Sequence, residues 1–176
     1  MSVSMYSLSA PVFTRMLENL LRWLEKAEAH AKAKGFDVDV LLAARLAPDM
    51  FPLVRQVQVA ADAAKFGVAR LAGVEAPSFP DDEKTMGELK ERVRRTIEFV
   101  RSVPAAKLVG SEDRDVTVPR RDGSTTLKGQ VFLEHFSLPN FFFHATTTYA
   151  LLRHNGVELG KMDYLGPIPQ AGAGRQ

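Results

Sequence analysis

The chain has four histidines, His30, His135, His144 and His154, and no cysteine. Metal or proton chemistry would therefore have to be built from imidazole and carboxylate. Two imidazoles chelate an ion from one helix when they stand three or four residues apart. No pair here has that spacing. His135 and His144 are nine apart, which at about 100° per residue puts them on nearly opposite faces of a helix, and His144 and His154 are ten apart. His30 lies in a Lys-rich helix end, and His154 falls in a last helical turn, where an imidazole complements the helix dipole. These two and His135 read as structural or surface residues. His144 differs: Asn140 stands one turn before it, Thr148 one turn after, with Phe141, Phe142, Phe143 and Tyr149 around them. Such a polar spot in an apolar helix is either a core histidine satisfied by a neighbouring hydroxyl or carbonyl, or part of a pocket.

Other chemistries have less support. Without cysteine there is no thiolate metal site, disulfide framework or cysteine nucleophile. There is no G-x-S-x-G elbow for a Ser-His-Asp hydrolase, and no G-x-G-x-x-G or G-x-x-x-x-G-K-[ST] loop for phosphate. Asp81, Asp82 and Glu83 read as a solvated acidic loop, and Asp62 sits on a helix of unknown orientation. Lys161, Asp163 and Tyr164 read as a salt-bridged C-terminal staple rather than a site.

The elements that must position these residues are mainly helical. A hydrophobic share of 45% and a charged share of 25% over 176 residues are ordinary globular values, and one domain over 1–166 is expected. A first helix starts near Ser9-Ala10-Pro11, with Ser9 as cap, and stops at Gly35. Phe13, Met16, Leu17, Leu20, Leu24, Ala27 and Ala31 form its buried stripe, and Glu18 and Arg22 are spaced to pair. Val38 to Ala47 is a connection with room for a helical turn. Pro48-Asp49 opens a second helix that runs to Gly73, with Met50, Leu53, Val54, Val57, Ala61, Ala64, Val68 and Leu71 as its stripe. Its many alanines and Gly67 let a neighbour approach closely, within the chain or across a dimer. Thr85 and Glu88 have the capping-box spacing for a third helix, whose face is Leu89, Val93, Ile97 and Val100 and whose end is set by Pro104. Arg92, Arg94, Arg95 and Arg101 alternate with Glu88, Glu91 and Glu98, which reads as a solvated face. Val116 to Leu127 reads as a β-hairpin or extended loop around Asp122-Gly123. A last helical run extends from about Gly129 to His154, and Pro139 predicts a kink or break near Ser137. Residues 167–176, rich in Gly, Pro and Ala, are expected to be a mobile tail.

A net charge of +2, despite a pI of 9.0, comes with acids and bases interleaved. It argues against a nucleic-acid binder, which concentrates its positive charge. No apolar run approaches the ~18 residues of a spanning helix, and the first residues lack the pattern of a signal peptide, so no membrane partner and a cytoplasmic address are expected.

The run Leu138-Pro139-Asn140-Phe141-Phe142-Phe143-His144, followed by Leu151-Leu152-Arg153-His154-Asn155-Gly156 and Gly160-Lys161-Met162-Asp163-Tyr164-Leu165, resembles a family of domains of unknown function grouped with the DinB/YfiT-like proteins. Leu46-Ala47-Pro48-Asp49-Met50-Phe51-Pro52-Leu53 with Gln56 agrees with it. The resemblance implies an all-α, up-down four-helix bundle. In the wider superfamily, a His from the second helix and an H-x-x-x-H pair on the last long helix hold a divalent metal, and some members are thiol-dependent transferases or isomerases. This chain departs from that pattern: Asn140 stands where the first His of the pair would align, His144 matches the second, and the second helix offers Gln56 or Gln58.

The leading expectation is a homodimeric bundle that binds a small molecule in a polar pocket of His144, Asn140, Gln56 and Tyr149, without a cofactor and with the superfamily metal site degenerate. One alternative is a metal-dependent transferase or hydrolase holding Zn or Ni through His144. The other is a dimeric interaction module with no site.

Overall fold

In the computed structural model, which describes residues 3–168, helix α1 (Ala10–Lys34) carries Pro11 in its first turn and ends on Gly35, whose φ of 74° is the left-handed step glycine takes cheaply. The Ser9 hydroxyl is not the cap: it donates backwards to the Met5 carbonyl at 2.6 Å. All seven stripe residues are buried, joined by Asn19 and Trp23. After a 3-10 helix at Val38–Ala43, helix α2 (Leu53–Ala72) begins later than Pro48-Asp49 predicts, with Pro52 at its N-cap. A proline bars its predecessor from helical geometry. Ala47 to Met50 therefore closes as a separate turn, and Met50 lies outside the helix.

Helix α3 (Met86–Ser102) opens on the predicted capping box: the Thr85 hydroxyl accepts from the Glu88 amide at 3.2 Å, and the Glu88 carboxylate accepts from the Thr85 amide at 3.0 Å. The predicted Glu18–Arg22 pair does not form. Arg22 donates to Asn19, and Glu18 crosses to Arg101 on α3.

Strands β1 (Asp115–Arg120) and β2 (Gly123–Lys128) pair antiparallel with Arg120 opposite Gly123. The turn is thus Arg121-Asp122, one residue earlier than the expected Asp-Gly, and Gly123 takes the positive φ of 132°. The last helical run is continuous: α4 (Gly129–Phe132), a π-helical turn over Leu133–Ser137, and α5 (Leu138–His154). Pro139 lacks an N–H and its ring crowds the carbonyl four residues back. The break expected near Ser137 is realised as this widened turn instead.

A short helix, α6 (Lys161–Leu165), folds back on α1. Trp23 donates to the Asp163 carbonyl at 2.9 Å, Asn19 to the Tyr164 carbonyl at 2.8 Å, and Lys26 pairs with Asp163 at 2.7 Å. Tyr164 stacks on Trp23. The molecule is mainly helical with one small two-stranded sheet, and α1, α3, α2 and α5 contact one another in a closed ring. The thin face of α2 is used inside the chain. Ala60, Ala61 and Ala64 are fully buried, and Gly67 lies so close to Ser137 and the Phe13 ring that a side chain there would meet both. Among the described residues, no helix is long and apolar enough to cross a membrane. Residues 169–176, most of the expected mobile tail, lie outside the described residues.

Arg92 corrects the reading of α3 as alternating surface charge. Only 2% exposed, it pairs with Asp62 at 3.0 Å, Asp81 at 2.8 Å and Glu83 at 2.9 Å, and donates to the Pro80 carbonyl at 3.0 Å. Lys65, also buried, reaches Asp62 at 2.9 Å and lies over the Phe66 and Phe79 rings. Arg55 pairs with Asp81. The acidic loop is therefore a tether that ties the α2–α3 connection onto both helices, with only Asp82 outside the network. Removing one partner of a buried ionic network costs about 3–5 kcal/mol.

Gly129 is where the chain after β2 passes closest to the backbone: a Cβ there would overlap the Ser111 carbonyl. Gly129→Ala is expected to destabilise the fold by about 2 kcal/mol, seen as a lower urea midpoint at unchanged m-value.

Candidate functional site

The residues singled out on the last helix do not share one environment. His144 is 7% exposed and Gln56 is 1% exposed. They meet across the α2–α5 seam, with His144 Nδ1 at 2.7 Å from Gln56 Oε1. The Gln56 amide nitrogen donates to the Phe51 carbonyl at 3.2 Å, so the oxygen is the atom that faces the imidazole. That orientation fixes the tautomer. Nδ1 carries the proton and donates to Gln56, and Nε2 keeps its lone pair. Nε2 makes no hydrogen bond among the described residues. Burial lowers the His144 pKa below its ordinary value, and the positive charge of Arg55 lowers it further, so the ring is neutral at pH 7.

The neighbouring hydroxyls are engaged elsewhere. Thr148 donates to the His144 carbonyl at 2.9 Å and Thr147 to the Phe143 carbonyl at 2.7 Å, both along the helix. Phe143 stands edge-on to the imidazole with ring centres 5.1 Å apart, and it is 56% exposed. Phe51, which carries the carbonyl that orients Gln56, is also exposed.

Asn140, one turn before His144, is half-buried and opens onto a groove of about 180 Å³ between α2 and the run from α4 to α5. Val59, Asp62, Phe66 and Arg70 line one side, Phe136 and Ser137 the other, and Val118 and Pro119 of β1 form a wall. Tyr149 belongs to neither place: it packs on Trp23 at 5.5 Å and Tyr164 at 5.7 Å, in the aromatic cluster that holds α6. Gln58, the alternative to Gln56, donates to Glu83 at 2.7 Å and is part of the ionic network. His135 and His154 are exposed, and His30 packs on Phe36. A larger concavity, about 510 Å³ around Met5, Leu8, Val109 and Leu133, has no histidine or cation in its lining among the described residues.

A divalent ion at the superfamily position would need strong donors, and this arrangement does not supply them. One imidazole nitrogen is committed to Gln56, the remaining groups are amides, and an amide oxygen is a weak ligand beside imidazole. Among the described residues, no three His, Asp or Glu side chains converge to hold an ion. The residues present do not fit the group.

Two features of the site escape sequence reasoning. The Ser137 hydroxyl, buried against Gly67, has no hydrogen-bond partner among the described residues, and it closes a π-helical turn, a distortion frequent at functional sites. Arg70 lines the groove from the last turn of α2. Pro139 was the one available signal for the first; helical periodicity alone carries no signal for the second.

The family model of a domain of unknown function, DUF1993, matches residues 5–165. The chain belongs to that family. A crystal structure of a DinB family member protein from Shewanella denitrificans is similar to it at 44% sequence identity and a TM-score of 0.89, covering 94% of each chain. The chain is thus a DinB-like domain. A comparison with curated proteins returns no match.

A histidine whose pKa is depressed in the folded state takes up its proton more readily when unfolded, so stability falls with pH between the unfolded value of about 6.5 and the folded value below it. Urea unfolding from pH 7 to pH 5 is expected to show this loss in the native chain and a smaller one in His144→Gln. Equal slopes would place the imidazole in a solvated setting.

Proposed function

We propose that this protein is a DinB-like up-down four-helix bundle that binds a small molecule between α2 and α5, at a position where the superfamily metal site has degenerated. Asn140 lines the groove, and the His144–Gln56 pair, outside that lining, stands one turn further along the same seam. One observation carries the reading: His144 is buried, neutral and held by Gln56 through Nδ1, which leaves Nε2 as an unpartnered acceptor. Among the described residues, Nε2 is not one of the buried side-chain atoms left without a partner, so a ligand that donates to it gains a directed hydrogen bond rather than rescuing a buried atom. Helical bundles place ligand sites between facing helices, and the groove beside Asn140 adds the volume that the His144–Gln56 pair lacks. Tyr149 is not part of this proposal, because its contacts are with Trp23 and Tyr164.

The test is a thermal-shift screen of a small-molecule library against the native chain, His144→Ala and Asn140→Ala, with metal content measured by plasma mass spectrometry on protein purified without chelator. A ligand at ten times its Kd adds roughly 1.4 kcal/mol, or about 3–6 °C for a chain of this size. The proposal expects such shifts in the native chain, their loss in both variants, and no stoichiometric metal. Ligand profiles unchanged by either substitution would contradict it. A tightly held ion lost in His144→Ala would favour a metal-dependent transferase or hydrolase.

A further inference from the structure

The groove beside Asn140 has a charge pattern that the small-molecule reading does not by itself require. Its single acid, Asp62, is already neutralised, since the same oxygen accepts from Lys65 and Arg92. Across the network, three carboxylates (Asp62, Asp81, Glu83) face three cations (Arg55, Lys65, Arg92). Arg70 stands outside that balance. It lines the groove, its guanidinium lies 5.1 Å from the centre of the Phe66 ring, and it makes no ion pair or side-chain hydrogen bond among the described residues. Its place in the last turn of α2 suits the helix dipole, which accounts for a cation there but not for a half-buried one without an acceptor. Arg120, exposed and next in sequence to the groove-lining Pro119, lies over the Phe136 ring at 6.0 Å and makes no ion pair among the described residues. Beyond these charges the lining is largely apolar: Val59, Phe66, Val118, Pro119, Phe132 and Phe136.

We infer that the groove takes a small organic anion with an apolar body, its charge on Arg70, its body against Phe66, Phe132 and Phe136, and a polar edge on Asn140. An anion gives Arg70 the charge-assisted partner it lacks, while the aromatic walls select for an apolar body. The volume of about 180 Å³ matches a body the size of a single ring or a branched alkyl group. This inference rests on the groove reading above for its location and adds the ligand's charge and class.

Sodium benzoate and benzamide, nearly isosteric and differing in charge, are the probes. Each is titrated at constant ionic strength into the full ¹⁵N-labelled chain, up to about 10 mM, the weak-binding limit suited to so small a ligand, and backbone and Asn140 side-chain shifts are followed. Benzoate is expected to bind roughly tenfold or more tightly than benzamide. Arg70→Gln is expected to abolish that preference and Arg70→Lys to keep most of it, which separates lost charge from lost packing. Equal binding of the two probes, a preference unchanged in Arg70→Gln, or no shift with either probe would overturn the inference. Equal binding lost in His144→Ala would leave the small-molecule reading standing without the anion class. A benzoate preference that needs Arg70 but is untouched by His144→Ala would keep the anion site and remove His144 from the small-molecule site proposed above.

Discussion

The close approach of α2 to α5 is the constraint from which the rest of the site follows. It draws on the small residues along α2, the fully buried Ala60, Ala61 and Ala64 and the close-packed Gly67. Small residues let two helix axes approach within the range that side-chain size dictates. Phe13 and Phe141 fill the space behind the seam, edge to face at 4.9 Å. The cost of the arrangement falls on the Ser137 hydroxyl, left without a partner among the described residues against Gly67. The π-helical turn that ends at Ser137 adjusts the phase of the last helical run before Pro139. The seam therefore joins a backbone distortion, a proline and a stretch of alanines in one packing solution.

One end of that seam is polar, and its chemistry comes from geometry rather than from a reactive residue type. Phe51 orients the Gln56 amide, Gln56 fixes the imidazole tautomer, and burial with the nearby Arg55 keeps the ring uncharged. Each step constrains the next, so an acceptor nitrogen is presented in a defined direction. The ionic network around Arg92 supports this end indirectly. It anchors Arg55 through Asp81 and Gln58 through Glu83, flanking Gln56 on the same helix.

Much of the helical framework was legible in the sequence because it depends on local signals. Helical periodicity marked the buried stripes of α1 and α3, the Thr85–Glu88 spacing marked the cap, and Gly35 and Gly73 marked the helix ends. The errors have one physical origin, competition from longer-range or neighbouring constraints. Pro48-Asp49 resembles a helix start, but Pro52 prevents the helix from passing through Phe51. Arg92 sits in a charge-rich stretch, and its burial depends on a loop that folds back from Pro80 to Glu83. The His144–Gln56 contact joins residues 88 apart, beyond the reach of periodicity; only the family resemblance placed both residues in one site.

The central claim is that His144 is a neutral imidazole, protonated on Nδ1 and open on Nε2. A long-range ¹H–¹⁵N spectrum of the full chain at pH 7 measures this directly, with His144 assigned by its loss in His144→Gln. The account predicts ring-nitrogen shifts of the Nδ1–H tautomer, with Nε2 at the position of an unprotonated imidazole nitrogen. Shifts of the Nε2–H tautomer, or of an imidazolium, would contradict it, because either would break the Gln56 hydrogen bond as described or leave no acceptor to offer a ligand.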